Sequence, residues 1–312
     1  MNKTILTVAL AAMMGSSAFA QTVATAPAAA PAPAPAPAAA TSPLSDLTIQ
    51  ATMDYESQYI FRGKKVTNQA FQPSAQLGYP VYGGSVYAGI WTSNPIGHQG
   101  GGAGAPGGTI PGPNQHDEID LYGGYTYPLD ILTKGLSVDV GYMYYWYPDV
   151  SGWNVTSDNQ EVHIGFTYDT TSVLSGININ PSLFYYRDFV LDQNDVELGF
   201  SYTWDMSSMT SVKGLSLVPS ATVGWLSGTN ELGQVALPAP PANIGQHWRN
   251  SYTYYSLHLD LNYKINDWAT AFIGVRYAGN NDGNGAIPGG GTAQSPGSKN
   301  SVWGGAGFKF GM

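Results

Sequence analysis

Seven carboxylates in this chain share a setting. Asp54, Glu118, Asp120, Asp139, Glu161, Glu197 and Asp260 all lie in segments where every second residue tends to be apolar, and all occupy the other, polar set. In an extended chain, alternate side chains point to opposite faces, so these acids fall on one face and the apolar residues on the other. The same face carries fewer bases: Arg276 and Lys309, with Arg62 at the end of its segment. Confined together, such an excess of negative charge attracts cations and repels anions. The plainer alternative is that the acids pair with these bases and with hydrogen-bonding neighbours to fill a polar interior. Glu161 with His163, and Asp260 with His258, are same-face neighbours two residues apart, which brings proton or metal chemistry into view. Their blander reading is membership of the same polar network. The chain has no cysteine, which removes disulfides, thiolate metal sites and thiol nucleophiles.

The elements that must position these residues are β-strands of one kind. Leu47, Ile49, Ala51, Met53 and Tyr55 alternate with Thr48, Gln50, Thr52 and Asp54, and the pattern returns along the chain to its end. No stretch is long and apolar enough for a membrane helix, which needs about 20 residues. The composition is 43% hydrophobic and only 11% charged, and the mean hydropathy is near zero. Lipid-facing and lumen-facing residues that cancel in any window give that balance. The pattern points to an all-β fold, an antiparallel transmembrane β-barrel of about twelve strands. The strands are expected near 47–61, 69–80, 84–93, 117–127, 136–147, 159–169, 177–187, 194–204, 214–226, 252–264, 268–278 and 300–310.

Loop parity supports that count. With a periplasmic N-terminus, the long Gly-, Pro- and Asn-rich connections at 94–116, 227–250 and 279–299 all fall outside, and the even-numbered connections are all short turns. Aromatics on the apolar stripe fall at the strand ends: Tyr79, Tyr127, Tyr168, Trp204, Tyr263 and Phe310 at the inner ends, and Tyr55, Trp146, Tyr185, Trp225 and Tyr277 at the outer ones. That spacing predicts two interfacial girdles. On the polar face, Tyr122, Tyr145, Phe184, Tyr186, Phe272 and Trp303 are expected to narrow the lumen, and Arg62 to stand near the outer mouth.

Before the barrel lie two other pieces. Residues 1–20 read as a signal peptide, with Lys3, an apolar stretch from Ile5 to Met14 and the cleavage pattern Ala18-Phe19-Ala20. Residues 21–45 form an Ala/Pro-rich periplasmic linker, extended by its prolines and suited to a contact with the cell wall or a periplasmic partner. Residues 46–312 make up the outer-membrane barrel. The net charge of −9, with scattered bases, does not fit a nucleic-acid binder.

Ser57-Gln58-Tyr59-Ile60-Phe61-Arg62-Gly63, then Gln72-Pro73, then Tyr87-Ala88-Gly89-Ile90-Trp91-Thr92-Ser93-Asn94, resembles the opening signature of the TorF-type porins. The likeness covers the first three strands. It implies an outer-membrane channel of loosely defined substrate, and no catalytic residues.

The expectation is an outer-membrane porin passing small hydrophilic solutes by diffusion, with a mild cation preference through a small or gated pore. It requires neither enzyme activity, cofactor nor metal, and its partners are membrane lipid and small solutes. The alternatives are a non-conducting scaffold barrel with a periplasmic tether, and a barrel-housed hydrolase, for which His98, His116 and His247 lie in or beside loops. Two motif look-alikes fall away. Gly102-Ala103-Gly104-Ala105-Pro106-Gly107 has no helix to open, and the calcium-like run from Asn280 has Gly291 where a bidentate Glu is needed.

Overall fold

The computed structural model describes residues 46–96, 117–148, 158–174, 179–190, 192–228, 251–281 and 300–312. The expected signal peptide and linker, the long outer loops, and His98, His116 and His247 lie outside the described residues. In chain order the strands are β1 (Thr48–Glu56), β2 (Tyr59–Phe61), β3 (Lys64–Thr67), β4 (Ala70–Val81) and β5 (Gly84–Pro95). They continue with β6 (Glu118–Pro128), β7 (Leu136–Trp146), β8 (Asp158–Tyr168), β9 (Ser182–Asp188) and β10 (Gln193–Ser201). The last are β11 (Trp204–Asp205), β12 (Leu215–Gly228), β13 (Ser251–Lys264), β14 (Ala269–Asn280) and β15 (Asn300–Gly311).

Twelve of these strands form a closed antiparallel barrel. Each long strand pairs with its sequence neighbours, β10 pairs with β12, and β15 closes the ring against β1 from Gln50↔Gly311 to Glu56↔Gly305. Closure leaves no open edge, so wall backbone groups find partners within the sheet where lipid offers none. Alternation decides what each face shows. In β4, Ala70, Gln72, Ser74, Gln76 and Gly78 are buried inside, while Phe71, Ala75, Leu77 and Tyr79 are exposed outside. The same holds around the ring, with Met53, Ile90, Leu121, Ile164, Leu198, Leu259 and Ile273 among the exposed apolar residues. An apolar band around a polar interior makes this a barrel of the bacterial outer membrane. Most of the expected girdle aromatics, Tyr55, Tyr79, Tyr127, Trp146, Tyr185, Trp204, Trp225, Tyr263 and Tyr277, are exposed on the outer face.

The strand boundaries differ from expectation in three places. The first strand was expected to run to residue 61 but ends at Glu56, and residues 59–67 fold instead into the separate β2–β3 hairpin. Arg62 and Gly63, at φ 47° and 74°, make its two-residue turn. Positive φ at both central positions is the type I′ geometry that suits the twist of a hairpin. The strand expected from 177 begins at Ser182, because Pro181 has no N–H to give to the ladder; its carbonyl accepts from Tyr168 instead. The inner connections at 169–181 and 202–214 are therefore longer than the short turns expected, and the second contains the brief β11.

One local break sits within a signature motif. The β4–β5 ladder pairs Phe71 with Asn94 and Ser74 with Trp91 but skips the two positions between. Pro73 has no N–H to donate across that gap. The Gln72 side chain bridges it by donating to Ser93 Oγ at 3.1 Å.

Placing a charge on the outer band tests the orientation of the wall. Leu259→Arg, in the middle of β13, is expected to destabilise the barrel by about 2–4 kcal/mol in urea titrations of the lipid-folded protein. A neutral effect would mean that Leu259 does not face hydrocarbon.

Candidate functional site

The site is the barrel interior, and its most consequential occupant is the hairpin. The connection between β1 and β4 starts at the outer end, yet Tyr59, Ile60, Phe61, Arg62 and Thr67 are all buried. It crosses the lumen and touches several walls. The Tyr59 ring lies 5.5 Å from that of Trp91 on β5, and Phe61 meets Tyr145 on β7 edge-on at 6.3 Å. Ile60 packs with Ala278 on β14 and Trp303 on β15. At the far wall, Asn280 donates to the Gly63 carbonyl at 2.6 Å, and the Lys64 ammonium sits 4.4 Å above the Tyr252 ring. A Cβ on Gly63 would lie 2.6 Å from the Gly279 carbonyl oxygen and from Tyr254 Cβ, so the turn reaches the opposite backbone at glycine distance.

Arg62 stays toward the outer end, as its sequence position suggested, and is buried within the lumen there: its partners Glu161 and Asp195 lie near the outer ends of β8 and β10. The hairpin turns inward and carries it there. Its Nη2 donates to Glu161 Oε2 at 2.8 Å, and its Nε is 2.6 Å from Asp195 Oδ2. The guanidinium also lies against the rings of Phe61 and Tyr186. A buried guanidinium held by two carboxylates is tolerated because each charge is paired; taking away one partner strands the others in a poor solvent.

The acids expected to face the lumen do so: Asp54, Glu118, Asp120, Asp139, Glu161, Glu197 and Asp260 are all buried, as are His163 and Arg276. They form separate networks. Arg276 ion-pairs with Asp260 at 2.5 Å and Glu56 at 3.2 Å, and Trp303 donates its indole N–H to Glu56 at 2.8 Å. His163 sits 2.5 Å from Asp139, which also accepts from Thr126 at 2.7 Å and from Tyr87 at 3.1 Å. Tyr254 donates to Asp195 at 2.6 Å and also bonds Glu197. Glu118 accepts from Tyr147 at 3.2 Å and from Tyr59 of the hairpin. The Lys309 ammonium lies 4.7 Å above the Phe272 ring.

The same-face acid–histidine pairs are not joined. Glu161 turns to Arg62 while His163 turns to Asp139, and Asp260 turns to Arg276 while the His258 ring meets Ser256 Oγ at 2.8 Å. His258 and Arg276 stand opposite each other in the β13–β14 ladder. Glu56 and Asp195 were missed as site residues, although the parity that picked out Asp54 and Glu197 includes both. The aromatics expected inside are buried, joined by Tyr87, Trp91, Tyr252 and Tyr254. Several lie flat over a glycine of the next strand: a Cβ on Gly224 would fall 2.1 Å from the Tyr254 ring, and one on Gly89 2.4 Å from that of Tyr122.

Removing the guanidinium measures what holds the hairpin. Arg62→Ala leaves Glu161 and Asp195 unneutralised and is expected to cost about 3–5 kcal/mol. Trypsin should then cut the folded barrel after Lys64 or Lys65, a cut that the seated hairpin of the parent protein is expected to resist. Equal resistance in the variant would show that the aromatic contacts alone seat the hairpin.

Comparison with known proteins adds a family and a set of distant barrels. A family model described as a bacterial protein of unknown function (Gcw_chp) matches residues 38–216. No curated protein matches the sequence. Among solved structures the chain is similar to LpxR from Salmonella typhimurium, at 9% identity and a TM-score of 0.44 over 84% of this chain and 99% of that one. It is similar to the NanC porin at 12% and 0.41, over 85% and 98% of the two chains. For the toluene transporter TbuX of Ralstonia pickettii the values are 13% and 0.37, over 86% and 89%. Likenesses at this level carry nothing about substrate or activity.

Proposed function

The chain belongs to that bacterial family of unknown function, Gcw_chp, and for this member we propose an outer-membrane channel that passes small hydrophilic solutes by diffusion and prefers cations. The observation that carries the reading is the charge of the lumen. Among the described residues Glu56, Asp188 and Asp195 join the seven expected acids in the interior, against Arg62, Lys64, Arg276, Lys309 and two histidines, buried or half-buried there. Arg62 and Arg276 each face two carboxylates, so pairing leaves negative charge over. In a confined, low-dielectric passage, that remainder favours cations.

The hairpin sets the expected scale of the pore. A twelve-stranded barrel is wider than one that side chains just fill at about eight strands, and narrower than the open channels of 16 to 18. With β2–β3 across its outer half, the route runs between the hairpin and the wall. The signature likeness to TorF-type porins supports a channel and falls on this hairpin and the strands beside it.

Catalysis has no place in this reading. A hydroxyl and an imidazole do touch at Ser256 and His258, but the residue facing His258 is Arg276, where a hydrolase would hold a carboxylate to orient its base.

Single-channel recording of the refolded protein under a salt gradient tests the proposal. Small discrete steps with a cation-favouring reversal potential are expected, and changing Glu118, Asp120 and Asp139 to their amides should move that potential toward zero. Deleting residues 58–68 should raise the conductance several-fold. A correctly inserted barrel that stays silent with and without the hairpin would end the channel reading in favour of a scaffold.

A further inference from the structure

The lumen networks leave some buried polar groups without a partner, and three of these fall together on one patch of wall beside the hairpin. On β5 and β6, Trp91 and Asp120 are direct cross-strand partners on the inner face, and Asp120 is in turn opposite Tyr145 on β7. Tyr122 follows two residues along the same face. These three side chains are only 5–6% exposed, yet Asp120 Oδ1, Trp91 Nε1 and the Tyr122 hydroxyl have no hydrogen-bond partner. Leaving a buried acceptor and buried donors unpaired is unfavourable, so such a cluster favours an occupant that bonds to them.

Its chemistry is specific. Among the described residues no base is ion-paired to Asp120, whereas Glu161 is engaged by Arg62 and Glu118 by Tyr59 and Tyr147. The free carboxylate calls for a cationic donor, and the Trp91 indole N–H calls for an acceptor within reach of the same molecule. The Tyr122 hydroxyl serves either role. The rings of Tyr59, Trp91, Tyr122 and Tyr145 belong to one buried cluster, and aromatic faces receive an ammonium and its attached carbons well.

Resting on the channel reading above and naming a solute class for it, we propose that Asp120, Trp91 and Tyr122 form a binding site for a small organic cation carrying both an ammonium group and an oxygen acceptor. The ammonium is held by Asp120, the oxygen by the Trp91 N–H, and the Tyr59 side chain of the hairpin forms one wall. A solute on its way through the lumen would pause here.

Calorimetric titration of the full refolded barrel in a nonionic detergent tests this, with ethanolamine as the probe at a pH where it is protonated. Ethylammonium lacks the oxygen, and ethylene glycol lacks the charge. Saturable binding of ethanolamine is expected, stronger than that of either control and not displaced by an equal concentration of sodium. Asp120→Asn should weaken it about tenfold or more, the effect of losing a charged hydrogen bond. Trp91→Phe keeps a ring in place but removes the N–H, and should weaken ethanolamine by a larger factor than ethylammonium. Heat-modifiable migration on a detergent gel verifies that both variants are folded. No saturable binding, an unchanged Asp120→Asn, or displacement by sodium would overturn the site and show waters or a diffuse ion atmosphere in its place. Conductance of the same preparation separates the two readings: a conducting barrel that ignores ethanolamine sinks the site alone, and a silent barrel that binds it sinks the channel.

Discussion

A β-strand in hydrocarbon has nowhere to leave a backbone N–H or C=O, and the rest of this structure depends on that constraint. It forces the strands into a ring, and the ring forces each strand to give one set of side chains to lipid and the other to the interior. Once β1 is paired to β15, every residue of even or odd number in a strand has its surroundings fixed. The acids are therefore buried because they lie opposite leucines and valines, and no local preference of their own put them there. Burial in turn favours pairing, which is why Arg62 and Arg276 are each clasped by two carboxylates and why tyrosines and a tryptophan donate to acids both inside and outside those pairs.

The hairpin solves a packing problem that closure creates. Twelve strands enclose more volume than side chains of the wall fill, and in the outer half that volume is taken by β2 and β3 with their aromatic and cationic residues. The positive φ of Arg62 and the absent side chain of Gly63 let the turn double back in two residues and end against the far backbone. One element thereby shapes the outer vestibule, bridges two acids with one guanidinium, and offers the Tyr59 ring and hydroxyl to the opposite side.

Most of the wall was legible because a period of two is a strong constraint in a two-faced sheet. The inward acids and the inner aromatics follow from counting alternate residues, and the strand number follows from the parity of loop lengths. What escaped was non-local. Nothing in the run from Tyr55 to Phe61 distinguishes a strand that continues outward from one that stops at Glu56 and folds back, since both read as extended chain. The Arg62-Gly63 pair was visible as a turn, but the partners that draw it inward, Glu161 and Asp195, lie about a hundred residues or more away. The separation of Glu161 from His163 was hidden for the same reason: two neighbours on one face are claimed by partners on different elements. Pro181 was the one overlooked local signal, as a residue without an N–H delays the start of β9.

The seam and the hairpin reinforce each other. β15 seals the ring against β1, and the hairpin that follows β1 touches β13, β14 and β15 across the lumen. The two flanks of the seam are thus held together twice, once through the sheet and once through the hairpin, so a fault in the hairpin is also felt where the ring closes.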